Sequence, residues 1–162
     1  MIPTEYLIPP HKVKSRPAKN DADIERIRKD AETMKMVLKG PLGIWNIGYS
    51  IAHSQITNKD PLCFFVTREG EIIVNPVITR HTKAEIPQTE GCLTFHWSDC
   101  KALQVPRFHK AQITCYKLTS TGYEEYEGEV TGLIAQIFQH EIDHFNGIYY
   151  YDRAGIERPK RK

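Results

Sequence analysis

Gln139-His-Glu-Ile-Asp-His144 sets how the rest of the chain is read. At 3.6 residues per turn it puts His140 and His144 on one helical face, with Glu141 beside them. Two imidazoles one turn apart can hold one metal ion, and the adjacent carboxylate can take a proton from a water bound to it. Working outward, Thr131 to Phe145 carries a helical stripe of Ile134, Ile137, Phe138 and Ile142, and Asn146-Gly147 supplies the stop. Imidazoles and a carboxylate in so apolar a helix need polar partners or coordination to offset desolvation. The layout is that of a metal hydrolase.

Two protein ligands make a weak site, so a third donor is required. No histidine or cysteine follows His144. Asp152 and Glu157 are acidic candidates downstream, although Asp152 also suits a turn after Tyr149-Tyr-Tyr151, a run that reads as packing. Upstream, Cys92 stands in Glu90-Gly-Cys-Leu-Thr94, where the glycine permits a close backbone approach. A thiolate is a strong ligand for a soft divalent ion, and with His140 and His144 it would leave the fourth tetrahedral position for water. Asp143 is assigned to a structural salt bridge or polar contact rather than to catalysis.

The remaining pattern predicts an α+β fold: one domain over 1–162, with mixed or antiparallel short sheets around a C-terminal metal-binding helix. Residues 1–20, rich in proline and lysine, read as an extended lead-in. Asn20-Asp-Ala-Asp23 then starts a helix over 22–39, with a stripe of Ile24, Ile27, Ala31, Met34 and Val37 and a stop at Gly40-Pro41. Strands are predicted at 62–67 and 71–78, with a strand end or irregularity at Asn75-Pro76, and a hairpin at 111–119 and 123–129. Residues 155–162 form a short basic tail.

The formal charge of +2, from 22 basic and 20 acidic side chains, gives no field that argues for DNA or an anionic membrane. Cys63, Cys92, Cys100 and Cys115 make no dense disulfide framework, which fits a reducing, intracellular setting. No stretch approaches 18 consecutive apolar residues, so no membrane span is expected.

Three stretches together resemble the peptide deformylase family: Gly48-Tyr-Ser-Ile-Ala-His-Ser-Gln55, Glu90-Gly-Cys-Leu-Thr94 and Gln139-His-Glu-Ile-Asp-His144, in that order. The resemblance runs from about Ile24 to Asp152 and includes Asn75-Pro76, Val105-Pro-Arg107 and Asp152-Arg153. It implies a metal-dependent hydrolase that removes the N-formyl group from the formylmethionine of nascent polypeptides, a co-translational step of protein biosynthesis. By the same resemblance Cys92, His140 and His144 are the metal ligands and Glu141 is the general base and later acid. Gln55 and the Leu93 N–H face the developing oxyanion, Gly48, Tyr49 and Ser50 lie beside the substrate backbone, and Arg107 lies near the cleft. The implied cofactor is one divalent ion, Fe2+ in vivo, with Zn2+, Ni2+ or Co2+ able to take its place in preparations. A cytoplasmic monomer acting on formylated nascent peptides, with a transient ribosome contact and without DNA or membrane partners, is the expectation.

Some positions depart from the pattern. Ser50 replaces the second glycine of the first motif's usual Gly-x-Gly-φ-Ala-Ala-x-Gln form, and His53 replaces the second alanine. Thr94 stands for the usual serine, and Phe95-His-Trp-Ser-Asp-Cys-Lys101 for a wall that commonly holds Pro-Gly. The tail after Asp152 is brief. These departures leave two alternatives: an amidase for another formylated or acylated small substrate, and a non-catalytic formyl-peptide-binding protein.

Overall fold

The computed structural model describes residues 3–40, 48–97 and 101–160. Parts of several expectations lie outside them: the first two residues of the lead-in, the proline of the Gly40-Pro41 stop, positions 98–100 including Cys100, and the last two residues of the basic tail. Along the chain run α1 (Asp21–Lys39), β1 (Ser50–Ala52), β2 (Phe64–Thr67), β3 (Ile72–His81), β4 (Glu85–Glu90), β5 (Leu103–Phe108), β6 (Lys110–Leu118), β7 (Tyr123–Thr131), α2 (Gly132–Phe145) and α3 (Tyr150–Ala154). Five strands make an antiparallel sheet in the order β1-β2-β3-β6-β7, while β4 and β5 pair separately. The α+β fold expected from the sequence is the fold observed.

The sheet is sandwiched by its two long helices, and strand alternation assigns each side chain to one of them. Phe64, Val66, Ile72 and Val74 pack with Ile27, Ala31, Met34 and Val37 of α1. Phe65, Ile73, Ile113 and Cys115 pack with Ala135, Phe138 and Phe145 of α2. Burial on both faces explains why 62–67 reads as an unbroken apolar run. A third cluster joins Cys92, Phe95 and Val105 to Tyr149, Tyr150 and Tyr151, so the aromatic run is packing as expected.

α1 opens on Asn20, whose side chain accepts from the Asp23 N–H at 2.9 Å, and ends at Gly40, where φ is +45°. β3 runs through Asn75-Pro76 as a bulged strand: its register against β6 shifts between Val74 and Val77, and Asn75 has φ +49°. β7, an outer strand, carries Glu124, Glu125, Glu127 and Glu129, charges that discourage further edge pairing.

Elements beyond the sequence pattern are β1, β4, β5 and α3. β4 and β5 hide from pattern reading because Pro87 lies opposite Pro106 and most of β4 is exposed. The lead-in opens with a short 3-10 helix over Pro3–Tyr6, and further along it is bonded to the body. The Arg16 N–H donates to the Pro61 carbonyl at 2.9 Å, and the Cys63 N–H donates to the Arg16 carbonyl at 2.8 Å. The Arg16 guanidinium spans Asp23 and Asp60 at 2.7–2.9 Å. No helix among the described residues is long and apolar enough to cross a membrane.

Candidate metal centre

α2 delivers His140, Glu141 and His144, and the turn after β4 delivers Cys92. Glu90 and Cys92, two residues apart in extended chain, point to the same side, toward α2. The helix is seated by its own amides. Gln139 accepts from the Phe108 N–H and donates to the Phe108 carbonyl, both at 2.8 Å, and Gln136 donates to the Thr89 carbonyl at 2.9 Å. These two glutamines lock α2 onto β4 and β5.

The result is a convergent donor set. His140 Nε2 and His144 Nε2 are 3.1 Å apart, and His144 Nε2 is 3.5 Å from Cys92 Sγ. All three ligand atoms lie within 4.8 Å of one another. Ligands of one tetrahedral ion, at ordinary metal–nitrogen and metal–sulfur lengths, stand about 3.3–3.6 Å apart, so the residues fit a shared ion. Asp152 and Glu157, the other acidic candidates, stand outside this set. Asp152 accepts from the Tyr149 N–H at 2.8 Å and pairs with Arg158.

Behind the donors lies a buried ion network. Glu90 accepts from His140 Nδ1 at 2.8 Å, which leaves the His140 Nε2 lone pair toward Cys92 and His144. Arg107 grips Glu90 through Nε and Nη2 at 2.6 and 2.9 Å and reaches Asp143 through Nη1 at 2.6 Å; Arg153 holds Asp143 from the other side. Burial pushes Glu90 up, but Arg107 and His140 outweigh it and hold the carboxyl at about 2. Burial likewise opposes charge on His140, while Cys92 and Glu90 overcome it and raise its pKa well above the ordinary value. At His144 burial, joined by the charges of His140 and Arg107, instead lowers the pKa well below the ordinary value. Asp143 forms the salt bridges assigned to it. Arg107, expected near the cleft, is 3% exposed, its guanidinium held by the cleft-lining Glu90 and by Asp143.

Gln55 sits opposite, 2% exposed. Its carbonyl oxygen accepts from the Ala52 N–H at 2.8 Å, and its amide donates to Thr94 Oγ1 at 3.0 Å and approaches Cys92 Sγ at 3.6 Å. Thr94 thus supplies the hydroxyl that secures Gln55. Gly48 allows Leu93 to sit close, since a Cβ there would come within 2.9 Å of Leu93 Cδ1. The cleft is lined by Gly48, Tyr49, Ser50, Gln55 and Leu93 on one side and by Leu133, Ile137, His140 and Glu141 on the other. Burial raises Glu141 above the usual carboxylate range, with His140 and Ser50 opposing it.

His53 finds both the space and the partners its position demands. It accepts from the Leu62 N–H at 2.9 Å through Nδ1, so Nε2 carries the proton and donates to Asp30 at 3.0 Å. Gln55, two residues on, is undisturbed. Burial, helped by Arg26 and opposed by Asp30 and Asp60, lowers the His53 pKa to about 4 from an ordinary 6.5. Between these values the unfolded chain binds a proton that the folded chain excludes. Stability is therefore lost as pH falls from 6.5 toward 4, by up to about 3 kcal/mol. Urea midpoints at neutral and mildly acidic pH check this: the acid-side drop is expected to flatten in His53→Gln, and an unchanged slope would refute it.

The roles of Glu90, Gln136, Gln139 and the Ser50 side chain emerge only from these contacts. The signal for Glu90 was its two-residue spacing from Cys92; the two amides on an apolar helix face also required partners.

The family model described as polypeptide deformylase matches residues 10–161. A peptide deformylase of Thermus thermophilus is 32% identical over 102 residues, covering 60% of this chain and 46% of that protein. One from Rhizobium meliloti is 30% identical over 143 residues, covering 82% of this chain and 71% of that protein. The match thus spans about half the length of the first relative. Among solved structures, peptide deformylase from Thermotoga maritima superposes with a TM-score of 0.69 at 25% identity, over 91% of this chain and 90% of that one.

Proposed function

The chain belongs to the polypeptide deformylase family, and from that premise we propose that it hydrolyses the N-formyl group of peptides beginning with formylmethionine, releasing formate. The observation that carries this reading is the convergence of Cys92, His140 and His144 beside Glu141, with the Gln55 amide 3.6 Å from Cys92 Sγ. Cys92 Sγ, His140 Nε2 and His144 Nε2 would hold one divalent ion, with Fe2+ as the working metal. When bound, that ion supplies Lewis-acid polarisation and acidifies water.

The protein's own groups do the rest. β1 lies at the edge of the sheet, so the main chain of Gly48, Tyr49 and Ser50 can take an extended peptide as an added strand. The apolar wall of Leu133 and Ile137 suits a methionine side chain. Glu141 takes the proton of the attacking water as the formyl carbon becomes tetrahedral. The Gln55 amide and the Leu93 N–H stabilise the oxyanion more than the starting carbonyl. Glu141 then returns the proton to the departing amine, giving formate and a free N-terminus. The cytoplasm as its location, a monomeric state and a transient ribosome contact complete the reading.

Anaerobically prepared, iron-loaded protein is expected to release formate from formyl-Met-Ala-Ser and to leave the acetyl analogue intact. Equal turnover of both peptides would refute selectivity for the formyl group, and no release at full metal content would refute the activity.

A further inference from the structure

Ser50 departs from the glycine usual in its motif, and its side chain reaches α2. Its hydroxyl donates to Glu141 Oε1 at 2.5 Å across 91 positions of sequence, a short, charge-assisted bond. Glu141 is 1% exposed, and its other oxygen, Oε2, is buried with no hydrogen-bond partner among the described residues. The two oxygens of this carboxylate are therefore unlike: one is anchored by Ser50, and the other has no donor among the described residues. The anchor is itself firmly placed. Ser50 pairs with Thr67 in β1-β2, and the next two residues, Ile51 and Ala52, are fully buried. A glycine at this position has no atom to reach Glu141, and an alanine has no proton to donate.

We propose that Ser50 is a positioning residue for Glu141, its hydroxyl holding Oε1 so that Oε2 is presented for proton transfer. This rests on the deformylase reading above. The terminal torsion of a glutamate is broad and soft, so one donor on one oxygen removes much of its rotational freedom. The O–H bond of Ser50 stays intact throughout. Oε2 accepts the water proton and later delivers it to the amine nitrogen as the carbon–nitrogen bond breaks, and Ser50 serves only as a donor.

The test compares wild type, Ser50→Ala and Ser50→Thr for kcat, KM and metal per chain. S50A is expected to lower kcat about 10- to 100-fold at unchanged KM and metal content, and S50T to restore most of the loss. Wild-type turnover in S50A overturns the proposal, as does a loss confined to KM, one that follows metal content, or one that S50T fails to restore. If the wild-type protein releases no formate, the deformylase reading fails instead. A crystal structure then judges the contact: a bonded Ser50 Oγ and Glu141 Oε1 supports it, and a separation beyond about 3.5 Å overturns it.

Discussion

Glu141→Gln is expected to reduce formate release about 10²- to 10⁴-fold, the contribution of a positioned general base, while metal content stays that of wild type. The substitution keeps the volume of a side chain that is 1% exposed, and a glutamine oxygen can still accept from Ser50. What it removes is the ability to take a proton at Oε2. The proposed ligands come from Cys92, His140 and His144, so the donor set is untouched. Formate release measured beside metal content separates the two effects. Unchanged turnover at equal metal would remove Glu141 from the mechanism; a fall in step with metal loss would make it a structural support.

The largest stability effect is expected at Arg107. Replacing it with methionine leaves Glu90 and Asp143, at 6% and 5% exposure, without the cation that spans them at 2.6–2.9 Å. Breaking a buried ion pair from one side destabilises by about 3–5 kcal/mol, because the remaining charge stays desolvated. For a chain of this size that lowers Tm by roughly 6–20 °C. Arg153 still holds Asp143, so the damage falls mainly on Glu90 and, through it, on the orientation of His140. Adding Glu90→Gln removes the stranded charge, so the double variant is expected to melt above the sum of the single losses. Thermal melts of the three variants check this. An unchanged Tm in R107M would mean that the network contributes nothing to stability.

Much of this molecule is legible without coordinates. The stripe of Ile134, Ile137, Phe138 and Ile142 marks α2, the stripe ending at Val37 marks α1, and four strands follow from short apolar runs and turns. The spacing of His140, Glu141 and His144 is set by helix geometry, which is local. Cys92 is singled out by its chemistry and its motif, since nothing local to α2 points to a residue 52 positions upstream of His144.

Other features have no local signature. β4 and β5 pair through a register that places Pro87 opposite Pro106, and only that pairing brings Glu90 and Arg107 together under α2. Arg107 reads as a residue near the cleft, and its burial between two carboxylates has no local signature. His53 reads as an intruder in a small-residue position, yet the Leu62 N–H and Asp30 satisfy both ring nitrogens. Ser50 and Glu141 meet across 91 residues. The sequence by itself determined the two long helices, most of the main sheet and the fold class, because periodicity and residue chemistry act over one or two turns of chain, and its motifs pointed to the proposed donor set. Tertiary structure alone decided which buried charges pair, which glutamate oxygen is held and where the lead-in is pinned. Those outcomes depend on desolvation and on separations of a few ångströms between segments far apart in sequence, and no local pattern encodes them.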